Sequence, residues 1–262
     1  MNYIHWAKFL AAFSSLSAGI SIVGTRLILP ETDPQSMAAI RFGIGALCLM
    51  PFFIVGFCKN PIAPADLPAI IFLGALFFGL FTFLFNASLA LTTAAHGAVG
   101  LATSPIITLV LAWILGREVM TKMKMICVVL AFLGVAVAVS DSLVAPASGT
   151  DNVIGDSLML LAALTVSIYT IYAKPYIMKY GGIYFTGVVM AIGVFSLTTV
   201  SPLVGFPIQV PDFTIVEWGV MIFLGVIGAA VQFAAFIWAL GRIPPSTVGI
   251  TLTLTPISAF IF

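Results

Sequence analysis

Apolar residues run along this chain in long blocks separated by short polar breaks. Blocks near the ~20 residues that a membrane-crossing helix requires fall at roughly 9–29, 37–57, 67–90, 97–116, 124–141, 154–173, 183–203, 217–240 and 246–262. The breaks are marked by Pro30-Glu31, Lys59-Asn60-Pro61, Arg117-Glu118, Asp141, Lys174-Pro175, Pro202 and Gly241-Arg242. Strands of a membrane barrel would alternate apolar and polar positions over ~10 residues. These blocks are longer and continuously apolar, so the pattern predicts an all-α integral membrane protein with nine transmembrane helices.

The blocks also repeat. Ile71-Phe72-Leu73-Gly74 recurs 151 residues later as Ile222-Phe223-Leu224-Gly225. The same offset lays Phe85 over Phe236, Leu89 over Leu240, Leu101 over Leu252, Pro105-Ile106 over Pro256-Ile257, and Leu10-Ala11-Ala12 over Leu161-Ala162-Ala163. The first block therefore has an internal counterpart and reads as a mature helix; it is also long for a signal h-region and lacks a clear small-x-small cleavage site. Each complete repeat would hold five helices. An odd number makes the second copy enter the membrane from the opposite side, which is the inverted-repeat plan of many secondary transporters. The first unit is expected at 1–145 and the second, truncated, at 146–262. The partner of block 124–141 would fall at about 275–292 by that repeat, so the chain is expected to be a fragment lacking a tenth helix, with a natural nine-helix protein as the alternative.

Composition agrees with lipid as the main solvent. Hydrophobic residues make up 61% of the chain and charged ones 7%, against ~25% charged in a soluble domain. The net charge of +1 gives no basic field for nucleic acid. Cys48, Cys58 and Cys127 lack metal-ligand spacing and read as small apolar residues. With the N-terminus inside, Lys8, Lys59, Arg117, Lys122, Lys124, Lys174, Lys179 and Arg242 lie on the inner side, as the positive-inside rule requires. Of the ten basic residues only Arg26 and Arg41 fall toward the outside. Seven acids lie outside and only Asp66 and Glu118 inside. This bias suits a bacterial plasma (inner) membrane with a cytoplasmic N-terminus.

Arg41-Phe42-Gly43-Ile44-Gly45-Ala46, Ala90-Leu91, Pro105, Gly116-Arg117-Glu118 and Gly134-Val135 follow in order, and Ala239-Leu240, Arg242, Pro244 and Pro256 follow in the second copy. On these the chain resembles the drug/metabolite transporter superfamily, specifically proteins built from two EamA-type domains. One departure is Ala18-Gly19, where many relatives carry Trp-Gly. The resemblance implies ten helices around a central cavity, and export or exchange of small metabolites, amino acids or amphipathic compounds.

Polar groups at mid-helix are expensive in hydrocarbon and should face the bundle interior. Asn86 and Gln232 are two such amides, with Trp238 near Gln232; they would either hydrogen-bond a polar solute or tie helices together. Thr165, Tyr169 and Tyr172 form one stripe of the sixth block. Its repeat partner carries Ser14, Ala18, Ser21 and Thr25, and the pair reads either as a wall for an amphipathic ligand or as close helix packing. Thr247, Thr251 and Thr255 run toward Pro256, and Thr103-Ser104 precede the matching Pro105. Paired interruptions of this kind point to a transport site, although each is also explained by a fixed kink. Ser104 and Thr251 join the candidate binding set; Pro105 and Pro256 are gating candidates. His96, at the start of the fourth block, is a coupling candidate because histidine is the side-chain type suited to a proton switch at physiological pH, with a merely interfacial role as the alternative. Arg26 and Arg41 would snorkel to outer headgroups, line an outer vestibule and attract carboxylates, or bond to helix ends, the last being favoured for Arg41. For Glu118 a salt-bridge or helix-end role is favoured.

No block carries a carboxylate near its middle, which argues against a simple carboxylate-based proton antiporter. No phosphate-cradling loop is present, and no metal, cofactor or catalytic constellation is expected. An intramembrane enzyme would need clustered nucleophiles or metal ligands; a channel would need a charged ring or carbonyl filter. The function predicted is a secondary transporter acting by alternating access, with a non-transporting scaffold or sensor as the rival. Its partners would be a small-molecule substrate and the lipid bilayer, with oligomeric state open.

Overall fold

The computed structural model describes residues 2–117, 119–123, 125–126, 129–130, 133, 149–203, 205, 207–255 and 258. Among the described residues every regular element is helical. In chain order they are α1 (Asn2–Ile28), α2 (Pro34–Lys59), α3 (Leu67–Leu91), α4 (Ala94–Leu101), α5 (Ser104–Ile114), α6 (Gly149–Tyr180), α7 (Gly182–Leu203), α8 (Ile215–Leu240) and α9 (Pro245–Thr251). Six helices, α1, α2, α3, α6, α7 and α8, are long and apolar enough to cross a membrane. Large apolar side chains such as Leu47, Phe52, Phe72, Phe195, Ile222 and Phe223 are exposed on them. In water such a surface would aggregate; facing acyl chains it is at home, and the protein is an integral membrane protein.

Nine spans were expected, and the shortfall has two causes. Most of block 124–141 and the end of block 246–262 lie outside the described residues. Block 97–116, read as one span, is two helices instead. Pro105 has no N–H to continue the ladder, so the chain turns at Ala102-Thr103 and restarts at Ser104. The Gly100 carbonyl accepts from both the amide and the hydroxyl of Thr103, and the Ser104 hydroxyl donates to the carbonyl of Leu101, whose usual helical donor would be the nitrogen of Pro105.

The helix ends follow local chemistry. Asp33 caps α2 by accepting from the amides of Gln35 (3.0 Å) and Ser36 (2.8 Å), with Pro34 in the first turn. Thr214 and Glu217 form a reciprocal capping box at the start of α8. α5 ends where Gly116 takes φ 67°, a left-handed conformation that glycine adopts without penalty; the Arg117 amide then reaches back to the Ala112 carbonyl at 2.8 Å.

Both repeated segments carry the same irregularity. α3 widens into a π-helical stretch over Ala75–Phe81, and α8 does so over Val226–Val231, at the 151-residue offset. The packing is exchanged between the halves. A Cβ on Gly74 would lie 2.9 Å from both Ile192 Cβ and the Val189 carbonyl of α7, whereas one on Gly225 would lie 2.6 Å from Ile44 Cβ and 3.2 Å from the Arg41 carbonyl of α2. Gly45 of α2 likewise abuts Ala229, and Gly193 of α7 abuts Phe78, the residue that the offset places opposite Ala229. Small residues here let backbones approach, the usual basis of helix association in lipid. α2 packs along α7, α1 on the second part of α8, and α6 on the second part of α3. Each half is thus completed by helices of the other.

Charge is sorted along the bundle. At one end Lys179 of α6 pairs with Asp66 at 2.6 Å and Asn60 donates to the Lys179 carbonyl. At the other, Glu31 and Asp33 border a cleft with Pro207, Gln209 and Pro211 from the α7–α8 connection.

Candidate solute-binding cavity

Where α1, α2, α3 and α8 meet, the packing leaves a cavity of about 40 Å³. Its polar wall is Ser21, Arg41, Thr82 and Gln232; its apolar wall includes Phe42, Phe81, Phe85 and Phe233. Gln232 and Phe233 come from the second half and the others from the first. Ser21 donates to Gln232 Oε1 at 3.1 Å, which holds the amide of α8 against α1. A single water needs only ~10–15 Å³, so the cavity has room for a few waters or one small polar group.

Arg41 dominates this place. Only 4% of its surface is exposed, and it lies seven residues into α2, about 10 Å from the helix start. It donates to Thr25 Oγ1 at 3.1 Å and to the Gly228 carbonyl at 2.8 Å. That carbonyl belongs to the π-helical stretch of α8, where widening the helix shifts the backbone hydrogen-bonding pattern. The approach requires glycine, since a Cβ on residue 228 would come within 2.4 Å of Ser21 Oγ and 3.3 Å of Arg41 Nη2. Arg41 Nε is buried without a partner, and among the described residues no carboxylate pairs with the guanidinium.

An aromatic cluster backs the cavity. Phe77 stacks on Tyr169 with centroids 4.0 Å apart and meets Phe78, Phe81 and Phe233 at 4.9–5.5 Å. The ring of Phe42 lies 5.2 Å from the Arg41 guanidinium carbon and 5.6 Å from Phe233.

Of the residues singled out from the sequence, Gln232, Ala18, Ser21 and Arg41 line this cavity and the others are distributed around it. The α1 stripe of Ser14, Ala18, Ser21 and Thr25 is buried throughout; Ala18 and Ser21 face the cavity and Thr25 holds Arg41. Asn86 donates to the Pro34 carbonyl at 3.0 Å, tying α3 to the start of α2, and its Oδ1 has no partner. Thr165 bonds back to Ala162 within α6. Tyr169 is buried in the aromatic cluster, whereas Tyr172 points outward under the Arg117 guanidinium. Trp238 sits near the end of α8, capped by Arg242 at 3.5 Å from its ring centroid.

Ser104 accepts from Ser167 through its carbonyl at 3.0 Å. Thr251 accepts from Ser15, and the Thr255 hydroxyl donates to the Ser15 carbonyl, so this threonine row fastens the last helix to α1. Pro105 lies beneath Gly249 of α9. His96 Nδ1 lies 3.5 Å from Asp156 Oδ2, and Thr92 bonds the other oxygen of that carboxylate. Arg26 donates to the Leu89 carbonyl. Pro256 and Glu118 lie outside the described residues, as do the unit boundary at 145–146 and Cys127. Sequence reasoning left Arg41 and Thr82 out of the candidate site; the available signal was a charge inside an apolar block.

A second, open cleft lies at the basic end between α5, α6 and α9, where Arg117, Lys174 and Thr247 line a space of about 920 Å³. Arg117 is held by the Ile171 carbonyl and Lys174 by the Ile243 carbonyl.

The profile of the EamA-like transporter family matches residues 5–140 and 153–262. The chain belongs to that family. Among curated relatives it is similar to the uncharacterized transporter YdfC of Bacillus subtilis (strain 168), 26% identical over 91% of this chain and 76% of that protein. It also resembles the uncharacterized transporter YyaM of the same strain, at 24% identity over 87% and 75%, and an uncharacterized transporter of Archaeoglobus fulgidus, at 23% identity over 91% and 82%. Among solved structures, one crystal structure superposes with a TM-score of 0.70 at 16% identity, covering all of this chain and 87% of the other, which establishes a shared fold. A membrane transporter is what these likenesses support, and this EamA-family chain has its buried polar cavity where helices of both repeated segments converge.

Proposed function

We propose that this protein is a secondary carrier that moves a small metabolite, amino acid or amphipathic compound by alternating access, as an exporter, exchanger or facilitator. The observation that carries the reading is the cavity of Ser21, Arg41, Thr82 and Gln232, buried within the bundle and walled by both halves. The repeat, the matched π-helical stretches and the exchanged glycine contacts support two inverted units that rock about this point. In that scheme the small cavity belongs to a closed conformation, and a whole solute enters when the halves part. The same proposal takes the nine apolar blocks of the sequence as transmembrane helices, five to a complete unit. The basic end, with Lys59, Lys174, Lys179 and Arg242, is assigned to the cytoplasm by the positive-inside rule. That places the N-terminus inside and suits a bacterial inner membrane.

The test is solute flux in proteoliposomes containing the purified protein, with labelled amino acids, organic anions and amphipathic cations, each with and without a pH gradient. Saturable flux that falls on Gln232→Ala, with the variant still folded, is the expected result. Folded wild-type protein that moves no solute under either gradient would overturn the carrier and favour a scaffold or sensor.

A further inference from the structure

A guanidinium in the membrane interior that has no carboxylate beside it among the described residues raises the question of what compensates its charge. Thr25 and the Gly228 carbonyl supply neutral acceptors at 3.1 and 2.8 Å, and the Nε proton has none. A guanidinium carries five N–H donors in a planar fork matched to carboxylate. The cavity it lines, about 40 Å³, has room for a group of carboxylate size. The rest of the lining is a hydroxyl pair, one amide and aromatic or aliphatic side chains, without an acidic residue.

We infer that Arg41 is an anion subsite, and that the transported solute is a hydrophobic organic carboxylate lacking an α-ammonium group. The inference rests on the carrier reading and narrows it. A carboxylate that reaches Arg41 takes over the guanidinium from the Gly228 carbonyl, which occupies that position in the present conformation as a neutral stand-in. Its apolar body then lies along Phe42, Phe81, Phe85 and Phe233. An ammonium group finds no carboxylate partner in this lining and stands close to a fixed cation, so amino acids and amines are disfavoured. The Arg41 contacts span α1, α2 and the π-helical stretch of α8, so the anion also loosens a bond that joins the two halves.

The experiment compares four solutes of one shape on the full protein: 3-phenylpropionate, phenylalanine, 3-phenylpropionamide and 3-phenylpropylamine. Binding is read from tryptophan fluorescence and ligand-dependent thermal stabilisation in detergent, and flux from liposomes. The expected result is saturable binding and flux of 3-phenylpropionate, with the amide and the amine about tenfold to a hundredfold weaker, as befits loss of one charge-assisted bidentate contact, and phenylalanine also weaker because its ammonium group is unpaired beside a fixed cation. Arg41→Gln removes the preference and Arg41→Lys retains part of it. Tighter or equal binding of phenylalanine, the amide or the amine overturns the inference, as does no binding of 3-phenylpropionate, or its undiminished binding to folded Arg41→Gln. The wild-type comparison decides the matter even if Arg41→Gln does not fold. Flux of the amine or amide without the anion preference removes the anion subsite and leaves the carrier; no flux of any solute by folded protein removes both.

Discussion

Gly193→Ala is the sharpest test of how closely the two halves are joined. A Cβ at residue 193 would lie 2.2 Å from Phe78 Cβ, 2.8 Å from its carbonyl carbon and 2.9 Å from its Cα. Carbon atoms pack comfortably at ~3.5–4.0 Å, so α7 and the π-helical stretch of α3 must separate by about 1.3 Å or more. No rotamer change relieves a clash with backbone. Overpacking of this kind costs about 1–3 kcal/mol, and the better helix propensity of alanine returns about 0.8–1 kcal/mol, leaving a net loss of up to about 2 kcal/mol. At ~2–4 °C per kcal/mol for a chain of this size, thermal unfolding followed by tryptophan fluorescence should show Tm falling by up to about 8 °C. Gly79→Ala is the internal control on the same interface. Its Cβ would sit 3.7 Å from Ser196 Cβ, an ordinary contact, so Tm should hold or rise slightly. If Gly193→Ala is as stable as Gly79→Ala, the close approach of α3 and α7 described above is wrong.

Three further outcomes are expected. Phe77→Ala, at the centre of the stack with Tyr169, Phe78, Phe81 and Phe233, should lose about 3–5 kcal/mol, and Phe77→Leu clearly less; comparable Tm values for the two would contradict a packed aromatic core. Asn86→Ala should lower Tm through the lost bond to Pro34, worth about 0.6–2 kcal/mol, without weakening solute affinity, whereas Gln232→Ala should weaken affinity; binding isotherms separate the two. The Asp66 carboxyl is held below its ordinary value of 3.8 by hydrogen bonds from Lys179 and Tyr180. Its contribution to stability is therefore complete above that value and is lost as pH falls through the lowered one. Unfolding measured down to pH values of about 2–3 should show a steeper decline for wild type than for Asp66→Asn, and parallel curves would refute the linkage.

Reading the chain alone was enough to recognise a membrane protein, to locate most of its helices and to see the duplication. Each of these is a local property: lipid demands long apolar blocks, and a copied block carries its copied residues with it. The break before Pro105 was legible as a candidate interruption because proline lacks an N–H, but the turn at Ala102-Thr103 and the hydroxyl bonds of Thr103 and Ser104 that accompany it appear only in the tertiary structure. Nothing in the residues of Ala75–Phe81 or Val226–Val231 announces a π-helical stretch, because no residue type is specific to that geometry.

Asn86 and Gln232 looked equivalent as amides in apolar blocks. Tertiary structure separates them, giving one the Pro34 carbonyl and the other Ser21 and the cavity. Arg41 makes the same point more strongly. Its charge was visible, and so was its oddity, yet its acceptor at Gly228 lies 187 residues away. Helix positions and the repeat follow from solvent and pattern along the chain; the candidate site follows from which helices of opposite halves touch, a relation that no single block encodes.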